Sequence, residues 1–347
     1  MLETLWFWLV AIMIAIYVVL DGYDLGAGII HLFVAHSDDE RRQVIQSIGP
    51  FWDGNEVWLL ASGGTLYFAF PALYAASFSG FYLPLMMVLW LLMLRGISIE
   101  FRSHVDSPVW RPMWDAVFGG SSALLAIFFG AALGNVVRGV PLDASGYFFL
   151  PLWTDFTLRG DLGILDWYTV IVGLAAFATL MLHGALWVAL KTDGPLAERS
   201  RLLAGRVWWA SGLLVVVITL VSFRIQPRLA ASFAEHPWGY VLPALAVVAF
   251  AAIRHWIGPA NGARAFLASS VFIAAMLSSV AFGLYPYVLP AHGDPKLGLT
   301  VYNAAAGSYG LRIGLGWWIP GIALATGYFV FTYRRFAGKV RPHEEGY

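Results

Sequence analysis

The chain has 347 residues, of which 59% are hydrophobic and 12% charged; 21 basic residues balance 21 acidic ones, and there are 16 Trp, 24 Phe, 15 Tyr and no Cys. With a mean hydropathy of +0.71, this composition lies far from soluble globular usage and matches an all-α polytopic membrane protein. The lack of Cys excludes disulfides, thiolate-held iron–sulfur clusters and thiolate haem ligation by this chain, and the lack of a basic surface segment excludes nucleic-acid binding.

A membrane-spanning helix takes about 20 residues. Nine apolar spans are predicted: Leu5 to Val34, Glu56 to Phe70, Ser77 to Ile99, Trp114 to Val137, Ile164 to Leu190, Leu202 to Ser222, Trp238 to Ile257, Ala265 to Leu289 and Leu311 to Tyr333. The first has no basic flank or small-residue cleavage site and carries two Asp, so it reads as a retained helix starting near Met1, not as a signal peptide. The loops are short apart from Arg138 to Gly163 and Pro290 to Gly310, which makes residues 1–347 a single integral membrane domain with no soluble domain. No internal repeat is visible.

Basic residues orient the spans. With the N-terminus outside, fifteen Lys and Arg fall on inner segments, among them Arg41, Arg95, Arg102, Lys191, Arg199 and Arg341. Six fall outside: Arg138, Arg159, Arg224, Arg228, Lys296 and Arg312. That asymmetry satisfies the positive-inside rule with the C-terminus cytoplasmic.

The first span is interrupted by Asp21-Gly22-Tyr23-Asp24-Leu25-Gly26, although an Asp near the bilayer centre costs about 3 kcal/mol on insertion scales. Asp21 and Asp24, three apart, are neighbours on one helix face. At 1.5 Å per residue, Leu5 to Asp21 covers about 24 Å, which puts both acids in the inner half of the span. The second span opens with Gly49-Pro50-Phe51-Trp52-Asp53-Gly54-Asn55-Glu56-Val57-Trp58, and the third closes with Arg95-Gly96-Ile97-Ser98-Ile99-Glu100-Phe101-Arg102. Three successive helices therefore bring Asp21, Asp24, Asp53, Glu56, Glu100, Arg95 and Arg102 to one depth.

Two readings of this set stay open. One is a structural ion-pair lattice in which Arg95 and Arg102 neutralise carboxylates. The other is a hydrated path for protons from the cytoplasm, with Asp53 as entry carboxylate, Glu56, Asp21 and Asp24 as relays, Glu100 in the same acidic set and Arg95 tuning them. Five acids against two Arg weigh toward the path, since the surplus must be protonated or wetted.

Histidine offers little for a metal. His31 and His183 lie in spans; His36, His104, His236, His255, His292 and His343 fall in loops or at helix ends, and no His-x-x-x-His or Glu-x-x-His pair exists. Two well-placed histidines could still form an axial haem pair. Gly119-Gly120-Ser121-Ser122 lacks the Lys of a phosphate-binding loop. Gly22, Gly26, Gly130, Gly134, Gly63-Gly64 and Gly119-Gly120 are expected to let backbones approach closely. Trp208-Trp209 and Trp317-Trp318 are expected as interfacial anchors.

These motifs, in this order, resemble subunit II of the cytochrome bd-type quinol oxidases and their cyanide-insensitive relatives. Leu20 to Gly26, Gly49 to Leu59, Phe70-Pro71 through Phe78-Ser79-Gly80-Phe81-Tyr82 and Arg95 to Arg102 carry the resemblance. Later come Gly134-Asn135, Gly139-Val140-Pro141 and Tyr285-Pro286-Tyr287-Val288-Leu289-Pro290. The resemblance implies about nine transmembrane helices, as two four-helix bundles plus one peripheral helix, beside a similarly folded subunit I that carries haems b and d. It implies a complex in the bacterial cytoplasmic membrane that oxidises quinol, reduces dioxygen to water and takes its chemical protons from the cytoplasm. Asp53 matches the acid of the family's Trp-Asp-Gly-Asn segment at the proton entry, and Asp21 and Asp24 match the paired acids of its first helix. The resemblance also allows a bound quinone and a third small single-helix subunit. A stand-alone ion-coupled transporter and a purely structural scaffold for subunit I are the rival readings; a transporter favours broken helices and repeated halves, which are not seen in the sequence.

Overall fold

The computed structural model describes residues 1–158 and 160–340; Arg159, Arg341 and His343 lie outside the described residues. Among them the architecture is all-α. In chain order the helices are α1 (Leu2–Val34), α2 (Asp38–Ile48), α3 (Trp52–Ala69), α4 (Pro71–Gly80), α5 (Tyr82–Phe101), α6 (Trp110–Arg138), α7 (Trp167–Lys191), α8 (Gly194–Ile225), α9 (Pro227–Glu235), α10 (Val241–Trp256), α11 (Gly262–Leu284) and α12 (Ser308–Arg335). A short antiparallel ribbon, β1 (Tyr287–Leu289) with β2 (Leu299–Thr300), sits between α11 and α12.

Eight helices, α1, α5, α6, α7, α8, α10 with its leading turn, α11 and α12, are long and apolar enough to cross a membrane. The 18-residue α3 is not among those eight and packs along α1. Its first turn is level with Leu20 and Asp24, where the Asn55 side chain bonds at 3.3 and 2.8 Å. Its last turn is level with Trp6, whose ring centre lies 5.4 Å from that of Phe68. The helix thus runs antiparallel to α1 across about 27 Å, with Asp53, Glu56 and Gly63-Gly64 diluting its apolar character.

Local chemistry moves several expected boundaries. Pro71 starts the separate α4, because a proline is tolerated at the first helical position and not in a helix interior. The third crossing consequently begins at Tyr82, not Ser77. Asp166 caps α7 by accepting from the Tyr168 and Thr169 amides, both at 2.8 Å. The eighth expected span ends at Leu284, and its last residues form β1.

α1, α3, α5 and α6 form one four-helix group and α7, α8, α10 and α11 another; α1 packs against α7 and α11 at their junction, and α12 lies outside along α1. The closest approach in that junction is between glycines. A Cβ on Gly26 would fall 2.0 Å from the Leu180 carbonyl oxygen and 2.7 Å from the Gly184 Cα, so α1 and α7 meet this closely only with glycine there. Gly22, Gly130 and Gly134 also face neighbours, whereas a Cβ on Gly63, Gly64 or Gly120 would meet nothing within 4 Å among the described residues of this chain. Trp208 is likewise a packing residue: it stacks on Phe250 at 4.7 Å and donates to its carbonyl at 2.9 Å, while Trp209 and Trp317 are exposed.

Candidate functional site

Asp21 and Asp24 project from the buried face of α1, and neither has any exposed surface. Their partners differ. Arg95 of α5 donates to both oxygens of Asp21, at 2.9 and 2.5 Å, a forked pairing that suits the planar guanidinium. Asp24 receives one bond through Oδ2, from the Asn55 amide at 2.8 Å, and its Oδ1 has no hydrogen-bond partner among the described residues.

Asn55 is the hub of what surrounds Asp24. Its amide nitrogen also reaches the Tyr23 hydroxyl at 2.7 Å, and its oxygen accepts from the Tyr333 hydroxyl at 3.2 Å. Tyr23 and Tyr333 lie 2.5 Å apart, which closes a ring of three side chains from α1, α3 and α12. Tyr23 stacks on Trp187 of α7 at 4.0 Å, and Tyr333 lies 4.6 Å from Phe51.

Asp53 is exposed in the first turn of α3, where the helix dipole favours a negative charge. One turn deeper, Glu56 is half-buried and within the electrostatic reach of Arg95, Asp21 and Asp53. The structure therefore gathers Asp21, Asp24, Glu56 and Arg95, with Asp53 at the rim. Glu100 stands apart, exposed in the last turn of α5.

Arg102 belongs to a different cluster, a correction to its expected pairing with the acids of α1 and α3. Seven residues beyond Arg95, it lies about 10 Å further along the helix direction. There it bonds Asp115 of α6 at 2.5 and 3.3 Å and Asp38 of α2 at 2.6 Å. Asp115, fully buried, also receives His31 at 2.7 Å and Arg41 at 3.0 Å, and Arg111 reaches Asp38 at 3.1 Å. Sequence reasoning missed Asp115 and Asp38. The available signal was Asp115 itself, a lone acid opening an apolar span a short loop away from Arg102.

A third buried pair lies at the opposite end of the bundle. Arg138 pairs with Asp166 and holds the Gly163 carbonyl at 3.0 Å and the Asn135 oxygen at 2.6 Å, pinning the long loop against α6 and α7. These residues were also missed, since each sits at a span end where charge is unremarkable.

The two histidines within spans do not form an axial pair. His183 engages Ser269 at 2.6 Å and the Val19 carbonyl at 3.0 Å, which occupies both ring nitrogens. His31 gives one nitrogen to Asp115 and lies in another cluster. Among the described residues no three of His, Cys, Asp and Glu converge as a metal site.

The profile of the family described as cytochrome bd terminal oxidase subunit II matches residues 2–336. The chain belongs to that family. It is 30% identical to the probable cytochrome oxidase subunit 2 of Haemophilus influenzae, over 98% of this chain and 95% of that one. It is also 30% identical to the cytochrome bd ubiquinol oxidase subunit 2 of Bacillus subtilis, over 90% and 89% of the two chains. The cytochrome bd-I ubiquinol oxidase subunit 2 of Escherichia coli K12 is again 30% identical, over 90% and 88%. In fold, the chain superposes on the bd oxidase structure from Geobacillus thermodenitrificans with a TM-score of 0.76, covering 97% of this chain and 98% of that one at 17% identity. As a member of the subunit II family, the chain is a multi-pass subunit of a terminal oxidase complex, an assembly that includes a partner subunit I.

Proposed function

We propose that this chain is the subunit of a bacterial quinol:dioxygen oxidoreductase that ligates no haem and stabilises a haem-bearing subunit I in the cytoplasmic membrane. Its acidic cluster carries protons toward the oxygen-reducing partner. The N-terminus is outside and the C-terminus cytoplasmic, a reading supported by fifteen basic residues on inner segments against six on outer ones. Residues 1–347 act as one membrane domain, and oxidase activity belongs to the assembled complex.

The observation that carries the proton reading is the unequal pairing of Asp21 and Asp24. Asp21, with both oxygens on Arg95, is a fastener between α1 and α5. Asp24, at the same depth and equally buried, keeps one oxygen free to take a proton. Asp53 collects protons at the mouth of α3, Glu56 and Asp24 relay them, and the fixed charge of Arg95 holds the local field. Intramembrane acids facing a bundle interior mark such pathways. A bound quinone is compatible with a 580 Å³ apolar cavity between α1, α3 and α12, lined by Trp6, Met13, Trp58, Thr65, Trp317 and Trp318.

The test is to purify the tagged chain from its native membrane. A reduced-minus-oxidised spectrum with b- and d-type haem bands, together with a co-purifying large membrane subunit, supports the subunit assignment; a chain that purifies alone and haem-free overturns it. In the assembled complex, Asp53→Asn is expected to slow both oxygen consumption and proton uptake. Unchanged rates of both sink the role of Asp53.

A further inference from the structure

We infer that Arg41, Arg42, Arg102 and Arg111 form a binding site for the phosphate of an anionic phospholipid, at the end of the bundle where α1 and α5 finish and α2 and α6 begin. The inference stands apart from the proton reading and uses none of its residues. Four guanidinium groups there share two carboxylates. Arg102 bonds both Asp115 and Asp38, Arg41 bonds Asp115 at 3.0 Å, Arg111 bonds Asp38 at 3.1 Å, and Arg42 lies 3.9 Å from Asp38. A third acid, Asp106, meets Arg111 at 3.2 Å from a side chain that is 90% exposed, and Glu40 is taken by Arg199. Even with Asp106 included, these contacts leave a positive charge over.

Hydrogen-bond donors are left over as well. Arg102 is 1% exposed, and its Nη1 has no partner among the described residues. The Nε atoms of Arg41, Arg42 and Arg111 are likewise buried and unpartnered. An unmet donor on a buried charge costs more than an unmet neutral one, so these nitrogens call for acceptor oxygens. Water would meet the donors and leave the charge. A phosphodiester answers both, since it carries one formal charge on oxygens whose spacing matches a guanidinium fork.

The surroundings select a lipid over a soluble anion. Arg102 caps the end of α5 and Arg111 lies in the first turn of α6, so the cluster sits where two apolar spans end, at the level of lipid head groups. Phe101 beside Arg102, and Val109 and Met113 on either side of Arg111, are exposed. Trp110 lies edge-on to Trp114 at 5.6 Å and donates to the Phe101 carbonyl at 2.7 Å. An apolar and aromatic rim next to a basic cluster suits acyl chains along the helices and a phosphate among the guanidinium groups, the arrangement by which basic sites between spans hold lipid head groups. A soluble anion makes no use of that rim.

The test uses the assembled complex, stripped of lipid in detergent and titrated with phosphatidylglycerol while native mass spectrometry follows the bound lipid. Arg42→Gln combined with Arg111→Gln removes two guanidinium groups and spares the buried pair of Arg102 and Asp115. Affinity for phosphatidylglycerol is expected to fall about tenfold, the scale of lost charge-assisted hydrogen bonds, and to change by less than about twofold in Arg254→Gln, an exposed basic residue at the end of α10. An equal loss in Arg254→Gln, or no loss in the double variant, overturns the site. Displacement of the lipid by millimolar inorganic phosphate identifies a free-anion site and overturns the lipid assignment. Should the double variant not assemble, a photoactivatable phosphatidylglycerol is cross-linked to the parent complex: label on residues 101–113 supports the proposal, and label only elsewhere overturns it.

Discussion

Arg95 on α5 grips Asp21 on α1 through two nitrogens, at 2.9 and 2.5 Å, in a site where neither side chain has exposed surface. Three residues on, Asp24 faces Asn55 instead. The same helix thus presents one neutralised carboxylate and one with an oxygen to spare, and the roles assigned to the two acids diverge on that difference.

Asp21→Asn leaves the Arg95 charge buried without its partner, which costs about 3–5 kcal/mol. Lower yield of assembled complex and a lower melting temperature are expected. Replacing Arg95 by Met in the same chain recovers much of the loss, because an apolar pair of similar volume avoids the desolvation penalty. Thermal melts of the single and double variants in detergent check this; a double variant no more stable than Asp21→Asn contradicts it.

Asp24→Asn is expected to behave in the opposite way. Asn55 loses a charged acceptor and keeps a neutral one, so assembly and haem spectrum stay close to those of the parent. Turnover and proton uptake fall by about tenfold to a hundredfold, the range for a lost acid–base group. Stopped-flow proton uptake on the reduced complex exposed to oxygen is the measurement.

Asp115→Asn removes the common acceptor of Arg102, Arg41 and His31. With two guanidinium groups losing a buried carboxylate, destabilisation of about 3–5 kcal/mol is expected, well beyond the effect of changing exposed Asp53. Comparing melts of Asp115→Asn and Asp53→Asn decides whether this cluster fastens α1, α2, α5 and α6.

Gly26→Ala puts a methyl group against backbone of α7 and is expected to abolish assembly, since neither helix can yield without parting. Gly64→Ala meets nothing within 4 Å in this chain and is expected to change its stability by less than about 0.5 kcal/mol. Membrane-extract blots for the assembled complex separate the two.

Glu40, outside the spans, titrates below the usual carboxylate range. Burial opposes its charge, but the backbone amide of His36 at 2.7 Å, the Arg199 guanidinium and the Ser37 amide outweigh that penalty. A depressed folded pKa contributes stability above the unfolded value and loses it as pH falls through the folded one. The melting-temperature gap between parent and Glu40→Gln is therefore expected to be fullest near neutral pH and to close in acid. A gap independent of pH contradicts the role of this α2 cap.

Much of the fold was legible because apolar runs interrupted by Pro, Gly and charge mark membrane helices by composition alone. The acids of α1 and α3 and Arg95 were legible for the same reason: each is costly in an apolar run and so stands out. Tyr23, Asn55 and Tyr333 did not stand out, since hydroxyls and amides are ordinary in spans, and Tyr333 lies 278 positions from the Asn55 it bonds. Arg102 was visible but misassigned, because two turns of helix carry a side chain from one set of neighbours to another.

The sequence by itself determined that this chain crosses a membrane many times, that acids and Arg95 interrupt its apolar spans, and to which family its motifs are similar. Those properties follow from transfer free energies of individual side chains and from spacing along a helix, both of which are local. Only the tertiary structure decided that Asp21 is bound by Arg95 while Asp24 is not, that Arg102 turns to Asp115, and that α12 brings Tyr333 over Asn55. A helix turns about 100° per residue, so residues three apart share a face and still meet different neighbours; which neighbour each meets is set by how the helices are rotated and packed.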